Sequence, residues 1–365
     1  MEVDFFSSKV KRQNTEMTVC LTNYLTIIFA PLGHTQTSDR KKDHIELAFE
    51  SVVQNQDNRF YYEPLFSGHP QGDLQPLKFT NKQMLAPLWV SSMTGGTKEA
   101  GTINRNLAKA CGQFGLGMGL GSCRIILNDD EHLPDFQLRK EMGDYPLFAN
   151  LGIAQLEELF DSHKEYLINE LVKRTETDGL IVHVNPLQEW LQPEGDIFKK
   201  SPLEIIKRTL DLDLKIIVKE VGQGFGPNSL KELMKLPLAA IDFGAHGGTN
   251  FSKLEMHRSN EMRHEAYDKV ATWGHSAEQM VGFYNCLKEE LGDQNHNADI
   301  IISGGVHDFM DGFYHTERIN AHAIYGQASA FLKHARGGYE ELEEYVSLQI
   351  EGLKLSKAFL RLREI

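Results

Sequence analysis

The stretch His183-Val-Asn-Pro-Leu-Gln-Glu189, continued by Gln192-Pro-Glu-Gly-Asp196, gathers an imidazole, amides and carboxylates into one short segment. Side chains of these types hold protons, phosphates and divalent cations. The segment directly follows the apolar run Gly179-Leu-Ile-Val182, which reads as a buried strand, and Pro186 and Pro193 stop regular structure from continuing. Polar groups concentrated where a hydrophobic strand ends are poorly explained by packing. Glu189 could hold Mg2+, an ion that takes one or two carboxylates and completes its shell with substrate phosphates. It also suits the first turn of a helix, where the dipole favours a carboxylate.

Other clusters supply cations and backbone donors. Arg40-Lys41-Lys42-Asp-His44 is a basic run in an acidic chain, and Arg124 lies two residues from Ser122. Such a run is ordinarily a solvated face. Brought together with His183, these groups would bind a diphosphate, because arginine forks pair with phosphate oxygens. Lys219 ends the β-branched run Ile216-Ile-Val218, which would hold its amine over a strand end, free to offset negative charge or to pair with a carboxylate such as Glu220. Ser303-Gly-Gly305 and Tyr325-Gly-Gln-Ala328 follow two late strands, and their N–H groups suit a phosphate. Gly115, Gly117, Gly119 and Gly121 alternate with apolar residues, a pattern that serves tight core packing or the close approach of a flat ligand.

These groups need a frame. Strands are predicted over 88–92, 115–120, 146–150, 180–184, 215–219, 239–243, 299–303 and 321–325, with helical segments such as 154–175, 202–210 and 276–291 between them. Repeated strand-then-helix order implies a parallel sheet, and this many units fit an α/β TIM (β/α)8 barrel better than an open doubly wound sheet. The segment 339–362 should form a helix that completes the outer ring. Apart from the basic run at Arg40 and the alternating glycines, each polar or glycine-rich cluster falls at the C-terminal end of its strand, the face on which barrel enzymes build their sites. Residues 1–36 read as a poorly ordered extension and 37–365 as a single barrel domain. The stretch 19–30 is too short and too interrupted by Thr22, Asn23 and Thr26 for a membrane span. A formal charge of −13 argues against nucleic acid as the partner, and Cys20, Cys111, Cys123 and Cys286 form no CxxC pair, which fits a reducing cytoplasm.

At these residues the chain resembles type 2 isopentenyl diphosphate isomerase, the flavin-dependent form of that enzyme. The matches are R-K-x-x-H-I from Arg40, S-S-M-T-G-G from Ser91, G-S-x-R from Gly121, H-x-N-P-L-Q-E from His183, Q-P-E-G-D from Gln192, V-K-E-V-G from Val218, G-G-T from Gly247 and S-G-G from Ser303. The resemblance implies a barrel that binds FMN, needs Mg2+ and a reductant such as NADPH, and assembles as a tetramer or octamer. It implies Gln188 as the catalytic glutamine and Glu189 as the metal ligand. Arg40, Lys41, Arg124, His183, Asn185 and Gln188 would contact the diphosphate substrate. Met93, Thr94, Ser122, Asn150, Lys219, Thr249, Gly304, Gly305, Gly326 and Ala328 would hold the flavin.

The chain departs from the family pattern in places. Cys123 stands where glutamine is common, His246 where a small residue is usual, and His307 where an arginine is common. His246-Gly-Gly-Thr249 also suggests an alternative, an FMN-dependent 2-hydroxy acid oxidase with His246 as base. In that reading Thr249 replaces the expected arginine, and Gln188 and Glu189 have no role.

Overall fold

The computed structural model describes residues 44–363 apart from 46, 54 and 92–96, so Arg40, Lys41, Met93, Thr94 and the boundary expected after residue 36 lie outside the described residues. The chain separates into two units, Met1–Asn58 and Arg59–Ile365. Within the first, a turn is closed by the Ser51 hydroxyl donating to the Leu47 carbonyl at 2.8 Å.

Eight parallel strands of the second unit close into a barrel. They are β1 (Leu88–Val90), β2 (Gly117–Gly119), β3 (Leu147–Gly152), β4 (Leu180–Val184), β5 (Ile216–Glu220), β6 (Ala240–Asp242), β7 (Asp299–Ser303) and β8 (Ala323–Gln327). Closure is direct, with Tyr325 of β8 registered against Leu88 of β1. Runs such as Ile216-Ile-Val218 and Ile300-Ile-Ile302 form strands because β-branched side chains pack on both faces of a sheet that helices enclose. The barrel is therefore the TIM (β/α)8 fold that the strand–helix alternation predicts.

Side-chain alternation sorts the strand residues into an outer core under the helices and an inner core. Trp89, Phe148, Ile181, Ile217, Ala240, Ile301 and Ile324 point inward and pack with Phe79 and Met84. The last two come from a hairpin, Leu77–Phe79 with Lys82–Met84, that plugs the N-terminal end. Its turn residues Thr80 and Asn81 have φ of 48° and 70°, the geometry of a tight hairpin with the sheet's own twist. A strand pair, Phe60–Tyr62 with Leu360–Leu362, joins the two ends of this unit.

Several predicted bounds shift for local reasons. Gly115 is not in a strand. It caps helix α1 (Lys98–Phe114) at φ 66°, so β2 begins two residues later. The segment expected as one helix over 154–175 is two, α2 (Ile153–Asp161) and a second over Tyr166–Arg174, parted at His163, whose φ is 55°. β8 runs on through Gly326 and Gln327, because Gln327 finds partners inside the fold: its Oε1 accepts from the Tyr345 hydroxyl at 2.9 Å. The last helix stops at Phe359 and passes into Leu360–Leu362.

Candidate active site

Two residues further along each strand, the inward-facing positions change character. Above Phe148 stands Asn150, above Ile181 His183, above Ile217 Lys219, above Ala240 Asp242, above Ile301 Ser303 and above Ile324 Gly326. Register makes neighbours of them: Gly152, His183, Lys219 and Asp242 lie side by side across β3 to β6. Gly326 faces the same interior, since a Cβ there would lie 2.9 Å from Ser91 Oγ and 3.0 Å from Ser303 Cβ. The apolar floor thus gives way to a polar ring at the C-terminal mouth.

Hydrogen bonds fix the ring. Asn150 Nδ2 donates to the Leu120 carbonyl at 3.0 Å, which turns its Oδ1 toward His183 Nδ1 at 2.8 Å. That arrangement puts the proton on Nδ1 and leaves Nε2 an acceptor. Burial lowers the His183 pKa to about 4, and the Lys219 charge adds to the effect. His183 is therefore a neutral hydrogen-bonding group at neutral pH, not one more cation for a diphosphate. Lys219, 8% exposed, donates from Nζ to the Glu220 backbone carbonyl at 2.6 Å. The Glu220 carboxylate is engaged elsewhere: Oε2 accepts from the N–H groups of Gly222, Gln223 and Gly224 at 2.7, 2.6 and 2.8 Å. Burial pushes this carboxyl up, against those three donors and Lys219. Asp242 is fully buried; its Oδ1 accepts from the Ser303 hydroxyl, whose oxygen in turn accepts from the Gly244 N–H at 3.0 Å. Asp242 Oδ2 has no hydrogen-bond partner, and burial raises its pKa while Lys219 opposes the rise.

Above the ring opens a cavity of about 760 Å3. Of the residues expected to hold a flavin, Lys219, Thr249, Gly304, Gly305, Gly326 and Ala328 share its wall. Gly304 is required by backbone packing, because at φ 84° a Cβ would meet the Ala245 carbonyl at 2.0 Å. Asn150 stands below the cavity as the partner of His183. Ser122 and Arg124 instead line a separate hollow of about 650 Å3 with Gln155 and Lys164.

The strongest sequence signal forms a compact hydrogen-bonded unit beyond β4. Pro186 starts a short helix, α3 (Pro186–Leu191), and Asn185 precedes it without capping it. The Asn185 amide instead donates from Nδ2 to Glu189 Oε1 at 2.9 Å and to Gln188 Oε1 at 3.2 Å. Glu189 Oε2 accepts from the Asp196 N–H at 2.9 Å. Gly195 lets this loop fold back, since a Cβ there would lie 1.9 Å from the Glu189 carbonyl. Asp196 is in turn held by Arg124 at 3.0 Å and by Gln155 at 3.4 Å. Asn185 Oδ1, buried beside Glu189, has no partner. One held carboxylate and one free amide oxygen suit a cation that takes its remaining ligands from a substrate. Among the described residues no group of three or more His, Cys, Asp and Glu converges as a self-sufficient metal site.

The departures from the family pattern also find their places. His246 is absent from the cavity wall; its Nε2 and Asn250 Nδ2 both donate to the Ala271 carbonyl, at 3.3 and 2.8 Å, and so tie the β6 loop to the helical turn Asp268–Thr272. Cys123 is buried, and its thiol is pushed up to about 12. His307 does line the cavity. Sequence reasoning missed Asp242, whose single carboxylate inside an apolar strand gives little signal. It also missed the loop-ordering role of Glu220, for which the glycines of Val221-Gly-Gln-Gly224 were the available cue. No helix of the described residues is long and apolar enough to cross a membrane.

No family model matches the chain. It is 34% identical over 334 residues to the isopentenyl-diphosphate delta-isomerase of Rickettsia felis, covering 89% of this chain and 93% of that protein. The protein of the same name from Nostoc is 34% identical over 288 residues, covering 76% and 79%. Among solved structures, a flavocytochrome b2 variant with sulfite bound superposes with a TM-score of 0.56 at 13% identity over 93% of this chain and 86% of that one. A mandelate oxidase variant carrying an FMN adduct gives 0.51 at 10% identity over 84% and 88%. At such identities these likenesses bear on the fold alone.

Proposed function

Because the chain belongs to the isopentenyl-diphosphate delta-isomerase family and is an isomerase, we propose that it converts isopentenyl diphosphate to dimethylallyl diphosphate with reduced FMN and Mg2+. The observation that carries this reading is the polar ring of Asn150, His183, Lys219, Asp242 and Ser303, whose Lys219 and Ser303 border a cavity large enough for a flavin. The reading takes NADPH as the reductant of the flavin, and a cytoplasmic tetramer or octamer as the assembly, from the family resemblance.

The reaction adds a proton at one end of a double bond and removes another two carbons away, so no electrons are gained or lost. An unactivated alkene is a very weak base, and Gln188, Asn185 and neutral His183 are not strong acids. Reduced FMN, when bound, supplies the proton transfer that these side chains lack. The residues present fit that group: Lys219 brings a fixed ammonium to the cavity wall, while Gly304, Gly305, Gly326 and Ala328 border the end where barrels hold phosphates. Lys219 offsets negative charge there. Gln188, oriented by Asn185, positions the C5 chain, and His183 offers Nε2 as an acceptor at its foot. Glu189 and the free Asn185 oxygen would hold Mg2+ against the diphosphate, with Arg40, Lys41 and Arg124 as further anchors. Binding energy from the unreactive diphosphate then fixes the small reacting tail.

The test is anaerobic turnover of isopentenyl diphosphate in D2O with FMN and Mg2+, with and without NADPH, followed by NMR. Deuterated dimethylallyl diphosphate should appear only with reduced flavin and without stoichiometric loss of NADPH. Gln188→Ala should abolish turnover while FMN stays bound. Full activity in that variant, or none in the parent protein with FMN bound, would overturn the assignment. The oxidase alternative is weakened by His246, whose ring bonds to the helical turn Asp268–Thr272 instead of lining the cavity.

A further inference from the structure

The outer end of the cavity carries a cation that the proposed reaction leaves without a role. Arg336 follows helix α4 (Ser329–Ala335), and Ser329, Leu332 and Arg336 succeed one another at helical spacing along one stripe of the wall. The start of α1, Ala100 and Ile103 with the N-cap residue Thr97, borders the same cavity. Arg336 reaches this helix, its Nε 3.1 Å from Glu99 Oε1, with both side chains about two-thirds exposed at 64% and 65%. An ion pair this open to water holds weakly. It lines the same cavity as Gly304-Gly305 and Gly326, the glycine loops after β7 and β8.

We propose that Arg336 binds the phosphate of the flavin, exchanging Glu99 for it when the ligand enters. The inference rests on the reading of this cavity as an FMN site. A phosphate monoester carries nearly two negative charges and offers a planar guanidinium paired acceptors, whereas Glu99 offers one exposed carboxylate. The exchange therefore runs toward the phosphate. It leaves Glu99 at the rim beside a new dianion, so Glu99 opposes binding twice, by competing for Arg336 and by repelling the ligand. Residues 99 and 336 should act on FMN with opposite signs and be silent toward riboflavin, the same ring system without the phosphate.

The experiment is titration of the flavin-free full-length chain with FMN and, separately, with riboflavin, read by flavin fluorescence. Neither titration contains substrate, so the phosphate sensed is the flavin's own. Arg336→Ala should weaken FMN roughly 10- to 100-fold and leave riboflavin unchanged. Glu99→Gln should tighten FMN roughly 2- to 5-fold, again without effect on riboflavin. Lys333→Ala, an exposed cation on the same helix outside the cavity wall, should change neither. An unchanged ratio of FMN to riboflavin affinity in Arg336→Ala overturns the proposal, and so does an equal loss for both ligands, which a general disturbance of the wall would give. Should Arg336→Ala fail to fold, Glu99→Gln decides alone, and no gain there overturns the proposal. If the parent chain binds neither flavin, the FMN reading falls and takes this inference with it. If the parent binds FMN and Arg336→Ala binds it as well, only this inference falls.

Discussion

The barrel interior has two layers that share strands, direction and inward face, yet differ in every chemical respect. The lower layer, built around Trp89, Phe148, Ile181, Ile217, Ile301 and Ile324, is apolar and sealed by Phe79 and Met84. The upper layer, one strand period higher, is Ser91, Asn150, His183, Lys219, Asp242, Ser303 and Gly326, held by the Asn150–His183 and Ser303–Asp242 bonds and by backbone groups at its edge. A step of two residues keeps a side chain inside the barrel but moves it from the apolar floor to the polar ring, whose Ser91, Lys219, Ser303 and Gly326 border the cavity. Stability and chemistry are thereby separated along one axis, and substitutions in the two layers should fail in different ways.

The largest effect is expected on the floor. Trp89 is fully buried, its ring lies 5.5 Å from Phe79 and 6.2 Å from Phe148, and Gly117 is glycine because a Cβ would meet that ring at 2.4 Å. Trp89→Ala should destabilise the fold by about 3–5 kcal/mol in urea unfolding. The folded fraction should still bind flavin normally. A loss below about 1 kcal/mol would mean that the floor repacks freely, and the contrast between layers would lose its basis.

In the upper layer the expected failure is electrostatic. Lys219→Met removes the cation that opposes the raised pKa of Asp242 and leaves a buried carboxylate, one of whose oxygens already lacks a partner. The single change should cost about 3 kcal/mol near neutral pH. Lys219→Met with Asp242→Asn should recover roughly 1–3 kcal/mol of that loss, because the amide needs no counter-charge. Both variants should lose activity. Strictly additive losses would show that the two groups are not coupled.

These layers were unequally legible in the sequence. The floor and the barrel closure follow from β-branched runs of strand length separated by amphipathic helices, and eight such runs leave little choice of fold. The motif residues Gln188 and Glu189 were visible because so many polar types crowd together behind a strand. Asp242 was not, because one acidic residue in Ala-Ile-Asp-Phe reads as a strand edge until registration places it beside Lys219. Gly115 misled for the opposite reason: alternating glycines look like strand, but a positive φ makes this one a helix cap. The Glu99–Arg336 contact joins residues that are 237 positions apart, and no local pattern announces it.

A third test uses pH. In the unfolded chain a histidine takes up its proton near 6.5, whereas in the fold His183 does so only near 4. The folded state then binds fewer protons, so the stability tied to this ring is complete above about pH 6.5 and is lost as pH falls from there toward 4. His183→Gln should remove roughly 1–3 kcal/mol of that dependence, read from urea midpoints at about pH 7.5 and about pH 4.5. His315, also lowered to about 4 by burial but in the outer helical layer, is the internal reference. Its replacement should flatten a similar share of the slope without altering flavin binding. If His183→Gln leaves the slope untouched, the ring is already charged in the fold and its place in the neutral network is wrong.

The smallest expected effect lies at the rim, and it separates holding from binding. Arg124 and Asp196 pair at 3.0 Å with side chains 55% and 42% exposed, so Arg124→Ala should change stability by no more than about 1 kcal/mol. Yet Asp196 is the residue whose N–H orients Glu189, and Arg124 is one of the cations assigned to the diphosphate. If that assignment holds, Arg124→Ala should raise KM for isopentenyl diphosphate several-fold, on the order of one lost charge-assisted contact, with kcat nearly unchanged. A fall in kcat together with a weaker Mg2+ response would instead mean that Arg124 works through Asp196 and Glu189. No change in either constant would reduce the pair to an ordinary surface contact, and the diphosphate would then be held without Arg124.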